Sequence, residues 1–381
     1  MRFPTDEREA RLLFNLTEPL GPVRFARLVE RFGSAVGALE AGAEAWQEVE
    51  GFGAKAAEFY GALEQALPAL EKEKADALRL KARVLCALDE EYPESVRRLR
   101  DAPPVLYVWG ELRPVDSLGI ALVGSRRPST YGTAVAERFA RELAQAGVTV
   151  VSGLARGVDG SAHAACLAAG GRTVGILGSG FSRFYPAEHR KLADRMAKTG
   201  AVVTEFPLNA EPDAGHFPRR NRLIAAMSLG VVVVEALERS GALITAHLAT
   251  EQGRDVFAVP GSIFSPLSRG PHRLIKQGVK PVECALDVLE DISVFRDILN
   301  APRPAPSAAS AAARSAVSAH GQKLLAALSL EPTGIDGLAR AAGLSAAEVA
   351  RELLSLELAG LVRAVPGKHY VCSEMSLTTA G

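Results

Sequence analysis

From Ser117 onward the chain alternates short β-branched runs with helical stretches, and this alternation constrains the fold more than any other feature. LGIALVG is followed by YGTAVAERFARELAQAG, VTVVSG by VDGSAHAACLAAG, and RTVGILGSG by AEHRKLADRMAKTG. AVVTEF then precedes RRNRLIAAMSLG, VVVVEA precedes GALITAHLATEQG, and RDVFAVPGS precedes PHRLIKQG. Strands apolar along their whole length must be covered on both faces, and one helix separates each from the next. The expected class is α/β, a Rossmann-like doubly wound parallel sheet with helices on both sides.

The flanks differ in character. Residues 1–75 read as short helices and predict a small helical domain of SAM or helix-hairpin-helix type, with Gly51-Phe52-Gly53 as the hairpin signal. Hairpin glycines of this kind let backbone amides approach a phosphate. The first 50 residues carry 6 basic and 9 acidic side chains, so a bundle that packs on its neighbour or meets a protein fits equally. Residues 82–299 are assigned to the Rossmann-like domain; VLCAL and VLYVWG bring residues 82–115 into it as strands. Residues 300–318 (NAPRPAPSAASAAARSAVS) have no apolar period and read as a flexible linker. Residues 319–375 hold three helical stretches and a hairpin around Pro366-Gly367, a winged-helix-like pattern, with Ser345 and Glu348 as a capping box. Its would-be recognition helix has Arg351 as its only basic residue beside Glu348, Glu352 and Glu357, which suits protein contact better than a major groove. Arg363, Lys368 and His369 on the wing are its best phosphate contacts.

Charge enters through its distribution. Lys+Arg and Asp+Glu both total 44, yet residues 126–222 carry 14 basic and 8 acidic side chains, a net of +6. Such a region is a footprint for an anion, nucleic acid included. Cys86, Cys166, Cys284 and Cys372 are scattered, with no C-x-x-C and no histidine cluster, which argues against a disulfide framework or a zinc site. No apolar run approaches the roughly 20 residues that a bilayer requires, and the charged N-terminus lacks a signal-peptide core. The expectation is a cytoplasmic protein with no membrane span, no metal and no cofactor.

Ligands of such sheets lie at the carboxyl ends of the strands. Those ends read Gly124-Ser125-Arg126, Ser152-Gly153-Leu154-Ala155, Gly178-Ser179-Gly180, Glu205-Phe206-Pro207, Glu235-Ala236 and Pro260-Gly261-Ser262. A dinucleotide fingerprint is absent: Gly124-Ser125-Arg126-Arg127-Pro128 lacks the second and third glycines, and Arg126 stands where backbone must approach a pyrophosphate. There is no P-loop and no G-x-S-x-G. The concentrated signals are instead Phe217-Pro218-Arg219-Arg220-Asn221-Arg222 at a helix start, Ser240-Gly241 with Thr245 at another, and the loop Phe181, Arg183, Phe184, Tyr185. Guanidinium groups at a helix N-terminus bind phosphate, and interleaved aromatic and basic side chains suit unpaired bases. Phe184 and Tyr185 could equally plug a long loop. Glu205 and Glu235 end buried strands; most such carboxylates bond a neighbouring loop, and a catalytic role for them supports only the rival reading, a nucleotide-handling enzyme on the same rim.

In this order and at this spacing, GSRRPSTYG, SGLARGVDGSAH, FYPAEHRKL, TEFP, FPRRNRLIA, VVEALERSGALITA and VFAVPGS resemble the DNA-processing protein A family (DprA, also called Smf). The dense resemblance covers Tyr92 to Gly278. It implies a non-enzymatic, single-stranded DNA-binding recombination mediator of natural transformation. Such a protein protects incoming strands, displaces single-strand-binding protein and loads the RecA recombinase. It also implies a homodimer formed through the Rossmann-like domain, with the helices after Val232 as candidates for its face. By motif, Gly124, Ser125 and Arg126 fall in the family's G-S/T-R loop, and Phe217, Arg220 and Asn221 in its F-P-x-R-N. His189 stands where the family usually has asparagine. With the neighbouring rim positions, the expected DNA contacts are Gly124, Ser125, Arg126, Arg127, Gly153, Gly180, Arg183, Tyr185, Phe217, Arg219, Arg220, Asn221, Arg222, Ser240, Gly241 and Thr245, with no catalytic residue.

Overall fold

The computed structural model describes residues 2–300, 318–328, 333–358, 362–365 and 369–372. The chain divides into two compact units, Met1–Leu299 and Asn300–Gly381. The expected linker at 300–318 lies, apart from its two ends, outside the described residues, as do Lys368 and residues 373–375.

The first unit begins with four helices: α1 (Glu7–Leu16), α2 (Pro22–Phe32), α3 (Ala35–Trp46) and α4 (Ala56–Arg79). Their ends follow local chemistry. Asp6 caps α1 by accepting from the amides of Arg8 and Glu9, Ser34 caps α3, and Gly33 ends α2 at φ 81°. The four helices close on an aromatic core of Phe14, Phe25, Trp46, Phe52 and Phe59. The Gly51-Phe52-Gly53 hairpin sends Phe52 into that core, 5.4 Å from Trp46, while Arg24 and Arg27 bond the carbonyls of Gly51 and Glu50.

α4 continues past residue 75, and Leu70 and Ala77 join the core beneath the sheet with Tyr107, Val202 and Leu208. Glu73 accepts from the Leu208 amide at 2.7 Å, Asn15 donates to the Glu205 carbonyl at 3.1 Å, and Arg8 pairs with Asp89. Helices and sheet therefore share buried contacts and belong to one compact unit.

The sheet has nine strands: β1 (Ala82–Cys86), β2 (Val105–Gly110), β3 (Ile120–Val123), β4 (Val150–Ser152), β5 (Thr173–Ile176), β6 (Ala201–Thr204), β7 (Gly230–Val233), β8 (Asp255–Ala258) and β9 (Lys280–Pro281). Their order is β1-β2-β6-β5-β4-β3-β7-β8-β9. β6 to β9 through the centre is parallel, as the uniform apolar runs require. β1 and β2 form an antiparallel edge, with β2 paired to β6 (Tyr107 opposite Thr204), so the sheet is mixed rather than wholly parallel.

The intervening helices are α5 (Glu94–Arg97), α6 (Thr130–Gln145), α7 (Val158–Ala168), α8 (Arg190–Thr199), α9 (His216–Ala226), α10 (Gly241–Glu251), α11 (Arg269–Lys276), α12 (Ala285–Asp291) and α13 (Ser293–Asn300). One core layer, with Val123, Val151, Ile176 and Val233, lies against α9 and α10. The other, with Leu122, Val150 and Val232, lies against α6, α7 and α12. The two layers alternate along each strand, and this is the reason the strands are apolar throughout.

The second unit has α14 (Ala319–Ala327), α15 (Ile335–Ala342) and α16 (Ala346–Leu358), with strands β10 (Thr333–Gly334), β11 (Val362–Val365) and β12 (His369–Cys372) in the order β10-β12-β11. Three helices and a small antiparallel sheet make a winged helix, with Leu324, Leu338, Val349, Leu353 and Val362 in its core. The capping box forms: the Ser345 hydroxyl donates to Glu348 at 2.6 Å and accepts from the Glu348 amide. The side chains of Arg363 and His369 lie outside the described residues.

Candidate nucleic-acid interface

Along the sheet, the direction of winding reverses between β3 and β7, the place where a doubly wound fold opens a crevice for a ligand. Here the protein fills that crevice with its own carboxylate. Glu235, just past β7, accepts from the Ser129 amide at 2.8 Å and from the Ser129 hydroxyl at 2.6 Å. Its carbonyl accepts from the Ser125 amide at 2.6 Å. A Cβ at Gly132 would collide with the same carboxylate, so α6 requires glycine in its first turn. The positive helix end that would hold a pyrophosphate is thus already neutralised.

The open part of the rim lies toward β4 and β5. Arg126 is exposed and holds its guanidinium 4.9 Å from the centre of the Phe217 ring. Tyr185 also packs on Phe217, with ring centres 5.8 Å apart and planes inclined by 57°. Arg156 lies 5.5 Å from the Tyr185 ring and pairs with Glu188. These side chains, with Gly153, Ala155 and Gly178, line one narrow cleft. Gly178 lies directly against Phe217: a Cβ there would stand 2.9 Å from a ring carbon. The result is a row of two adjacent, partly exposed aromatic faces flanked by two guanidinium groups at the carboxyl ends of β3, β4 and β5.

Below the row lies a buried polar scaffold. Arg220, 4% exposed, donates to the carbonyls of Gly153 and Ile176 and to Asn221 Oδ1. Asn221 donates onward to the Gly241 carbonyl at 3.2 Å, where Ser240 caps α10 and the Thr245 hydroxyl turns back to the same carbonyl. Asp159, also buried, accepts from the amides of Gly153 and Ala155. A Cβ at Gly153 would lie 2.7 Å from both Arg220 Nη2 and Asp159 Oδ2. Burial lowers the Arg220 pKa to about 10, with Asp159 opposing the change and Arg126 adding to it. Burial raises Asp159 against the pull of Arg220 and the two amides.

Two histidines complete the support. His189 Nδ1 is 3.0 Å from the Leu154 carbonyl, and Leu154 holds a left-handed backbone at φ 54°. His163 is fully buried with Nδ1 2.7 Å from the Thr173 hydroxyl, and burial drives its pKa down to about 3.

Several expected contacts are therefore placed otherwise. Arg220, Asn221 and Thr245 are buried: Arg220 satisfies the strand-end carbonyls of Gly153 and Ile176, while Asn221 and Thr245 satisfy the Gly241 carbonyl at the start of α10. Arg222 does not line the cleft: it pairs with Glu205 at 2.6 Å and Asp101 at 2.9 Å. Arg219 pairs with the same Glu205 oxygen at 2.9 Å. Arg183 pairs with Glu211 at 3.1 Å, and Gly180 is a packing glycine pressed on the backbone of Pro207 and Leu208. Of the aromatic loop, Phe181 packs on Trp109 and Phe184 lies beneath Arg190, so only Tyr185 reaches the cleft. Gly124 and Ser125 form the turn that presents Arg126. A Cβ on Gly124 would meet Val158 at 2.6 Å, and Ser125 accepts from the Arg127 amide with the exposed Arg127 beside it.

Arg156, Gly178 and Asp159 belong to the arrangement but not to the expected contacts. Arg156 carried the same signal as Arg126, an arginine in a strand-end loop. Glu205 and Glu235, which the rival enzyme would need, are both buried and committed to arginines and to the α6 cap. Among the described residues no group of acidic, histidine and cysteine side chains could hold a metal.

Residues 83–293 match the family described as DNA recombination-mediator protein A, and residues 302–368 match the DprA winged helix domain. Protein Smf of Escherichia coli is 44% identical over 281 residues, covering 74% of this chain and 75% of that protein. DNA processing protein DprA of Bacillus subtilis is 41% identical over 239 residues, covering 62% and 80%. The X-ray structure of DprA from Streptococcus pneumoniae superposes with a TM-score of 0.67 at 34% identity, covering 75% of this chain and 98% of that one. A DprA structure from Helicobacter pylori, described for its single-stranded DNA binding mode, gives 0.50 at 28% identity, covering 58% and 96%.

Proposed function

Because this chain belongs to the DNA recombination-mediator protein A (DprA/Smf) family, we propose that the Arg126–Phe217–Tyr185–Arg156 row is its single-stranded DNA site. The carrying observation is the Arg126 guanidinium 4.9 Å from the Phe217 ring, beside Tyr185. Aromatic faces accept unpaired bases, while the arginines take phosphates and stack in turn. A duplex hides its base faces, so the row favours single strands. The related H. pylori structure, described for its single-stranded DNA binding mode, supports the reading.

The strand is bound and left chemically unchanged. Both carboxylates near the rim serve structural bonds, and this favours a mediator over the nucleotide-handling enzyme. The role that follows is protection of incoming single strands and loading of RecA onto them in place of single-strand-binding protein, in the cytoplasm during natural transformation. Exposed Leu237, Ile244, Ile263 and Phe264, the last 90% exposed, lie on α10 and the loops after β7 and β8 and supply an apolar face for a homodimer. No helix among the described residues is long and apolar enough to cross a membrane.

The site is tested by fluorescence anisotropy on a labelled single-stranded oligonucleotide. Phe217→Ala should weaken binding by about 1–3 kcal/mol, the loss of one stacked base. Unchanged affinity in both Phe217→Ala and Tyr185→Ala would remove the strand from this cleft.

A further inference from the structure

Residues 126–222 carry 14 Lys and Arg side chains against 8 Asp and Glu, and the fold leaves that excess uncompensated in two places. Seven of the arginines pair with carboxylates. Arg220 is buried on strand-end carbonyls, and Arg190 donates to the Phe181 carbonyl at 2.9 Å and lies over the Trp109 ring. The five that remain are all exposed: Arg126 and Arg127 in the turn after β3, and Lys191, Arg195 and Lys198 on α8. The three side chains on α8 have neither an ion pair nor a hydrogen bond among the described residues.

At about 100° per residue, positions 191, 195 and 198 lie within about 60° of one another around the helix. Ala193 and Met196 are buried on the opposite side, so the cations form one exposed stripe. A solvated surface accounts for Lys198, which suits the negative end of the helix, but not for Lys191. The first turn of α8 has no acidic residue, and a cation there meets the positive end of the dipole. The stripe also starts where the DNA cleft stops. Tyr185 and Pro186 line the cleft, and a single 3-10 turn at Ala187–His189 leads from them into α8. Two carboxylates border this course. Glu188 is engaged by Arg156, and the exposed Asp194 set against three cations leaves the stripe at a net of +2.

We infer that a single strand held in the Arg126–Phe217–Tyr185–Arg156 row runs on along α8, with successive phosphates on Lys191, Arg195 and Lys198. The inference rests on the row being the DNA site. From Lys191 to Lys198 the helix rises roughly 10 Å, a length over which a strand carries about two or three phosphates. α8 contains no aromatic residue, so it holds the backbone alone, whatever the sequence. The bases above it stay unstacked and open to a pairing partner.

The test is fluorescence anisotropy of the full chain on oligothymidylates from about 4 to about 16 nucleotides long. The unmodified protein is compared with Phe217→Ala and with a variant combining Lys191→Gln, Arg195→Gln and Lys198→Gln, its folding checked by circular dichroism. The triple variant should bind the shortest oligonucleotide as the unmodified protein does and the longest at least tenfold more weakly. Its salt slope on the longest should fall by roughly 2, about 0.7 for each lost phosphate contact. Should the triple variant fold poorly, hydrogen exchange on the unmodified protein gives the second reading, the longest oligonucleotide slowing residues 187–199 and the shortest not. Unchanged affinity at every length, or equal weakening at every length, overturns the path along α8. If Phe217→Ala still weakens binding in that case, the row stands and only the path falls. If Phe217→Ala changes nothing while the triple variant loses the longest oligonucleotide, the row itself fails, and a continuation from it fails too.

Discussion

Replacing Arg220 separates a strut from a DNA ligand. Its guanidinium reaches two strand-end carbonyls and Asn221, and it supplies the positive charge beside buried Asp159. Arg220→Ala leaves those carbonyls unpaired and Asp159 without its counter-charge. Leaving two buried carbonyls without a donor costs about 1–3 kcal/mol each, and about 2–4 °C of Tm per kcal/mol gives a fall on the order of 10 °C. Arg126→Ala removes only an exposed guanidinium over an aromatic face, about 0.5–1 kcal/mol, and Tm should move by about 4 °C or less. Thermal unfolding by circular dichroism and oligonucleotide anisotropy, run on both variants, make the comparison. Adding Asp159→Asn to Arg220→Ala should recover a good part of the loss, because the orphaned charge is gone. If Arg220→Ala keeps the unmodified Tm while losing DNA as Arg126→Ala does, the strut assignment fails and Arg220 contacts DNA directly.

Other perturbations have equally definite outcomes. Gly178→Ala sets a methyl group 2.9 Å from the Phe217 ring and should weaken oligonucleotide binding with little change in Tm, measured on one preparation. Gly180→Ala meets backbone carbonyls instead and should cost about 1–3 kcal/mol in chemical denaturation. His163, with its pKa driven down to about 3, stays neutral when folded, whereas the unfolded histidine takes a proton near 6.5. Its contribution is therefore fully present above about pH 7 and is lost as pH falls toward 3, by up to about 1.4 kcal/mol per pH unit. His163→Gln should flatten that part of the urea-denaturation pH profile.

The sheet was legible because uniformly apolar runs separated by single helices admit few alternatives, and β3 to β8 follow those runs closely. β9 and the last helices of the first unit carried weaker signals, since Lys280–Pro281 has no strand pattern and pairs only because β8 offers an edge. At the site, residue type was legible but burial was not. FPRRNR reads as three phosphate ligands, yet a helix turns successive side chains by about 100°, so its members face different neighbours. Phe217 thereby reaches the cleft, Arg220 the strand ends, and Arg219 and Arg222 the Glu205 carboxylate. Glu235 as the occupant of the crevice follows from the neighbouring of β3 and β7, which no local pattern in the chain displays.

The central claim is that single strands bind through the Arg126–Phe217–Tyr185–Arg156 row, and a salt titration tests it most directly. Affinity for single- and double-stranded oligonucleotides of one sequence is measured from low to high salt, for the unmodified protein and for Arg126→Ala. Single strands should bind more tightly throughout, log affinity should fall by roughly 0.7 per phosphate contacted, and Arg126→Ala should flatten that slope by roughly 0.7. Equal affinity for duplex, or a slope that Arg126→Ala leaves unchanged, would contradict the account.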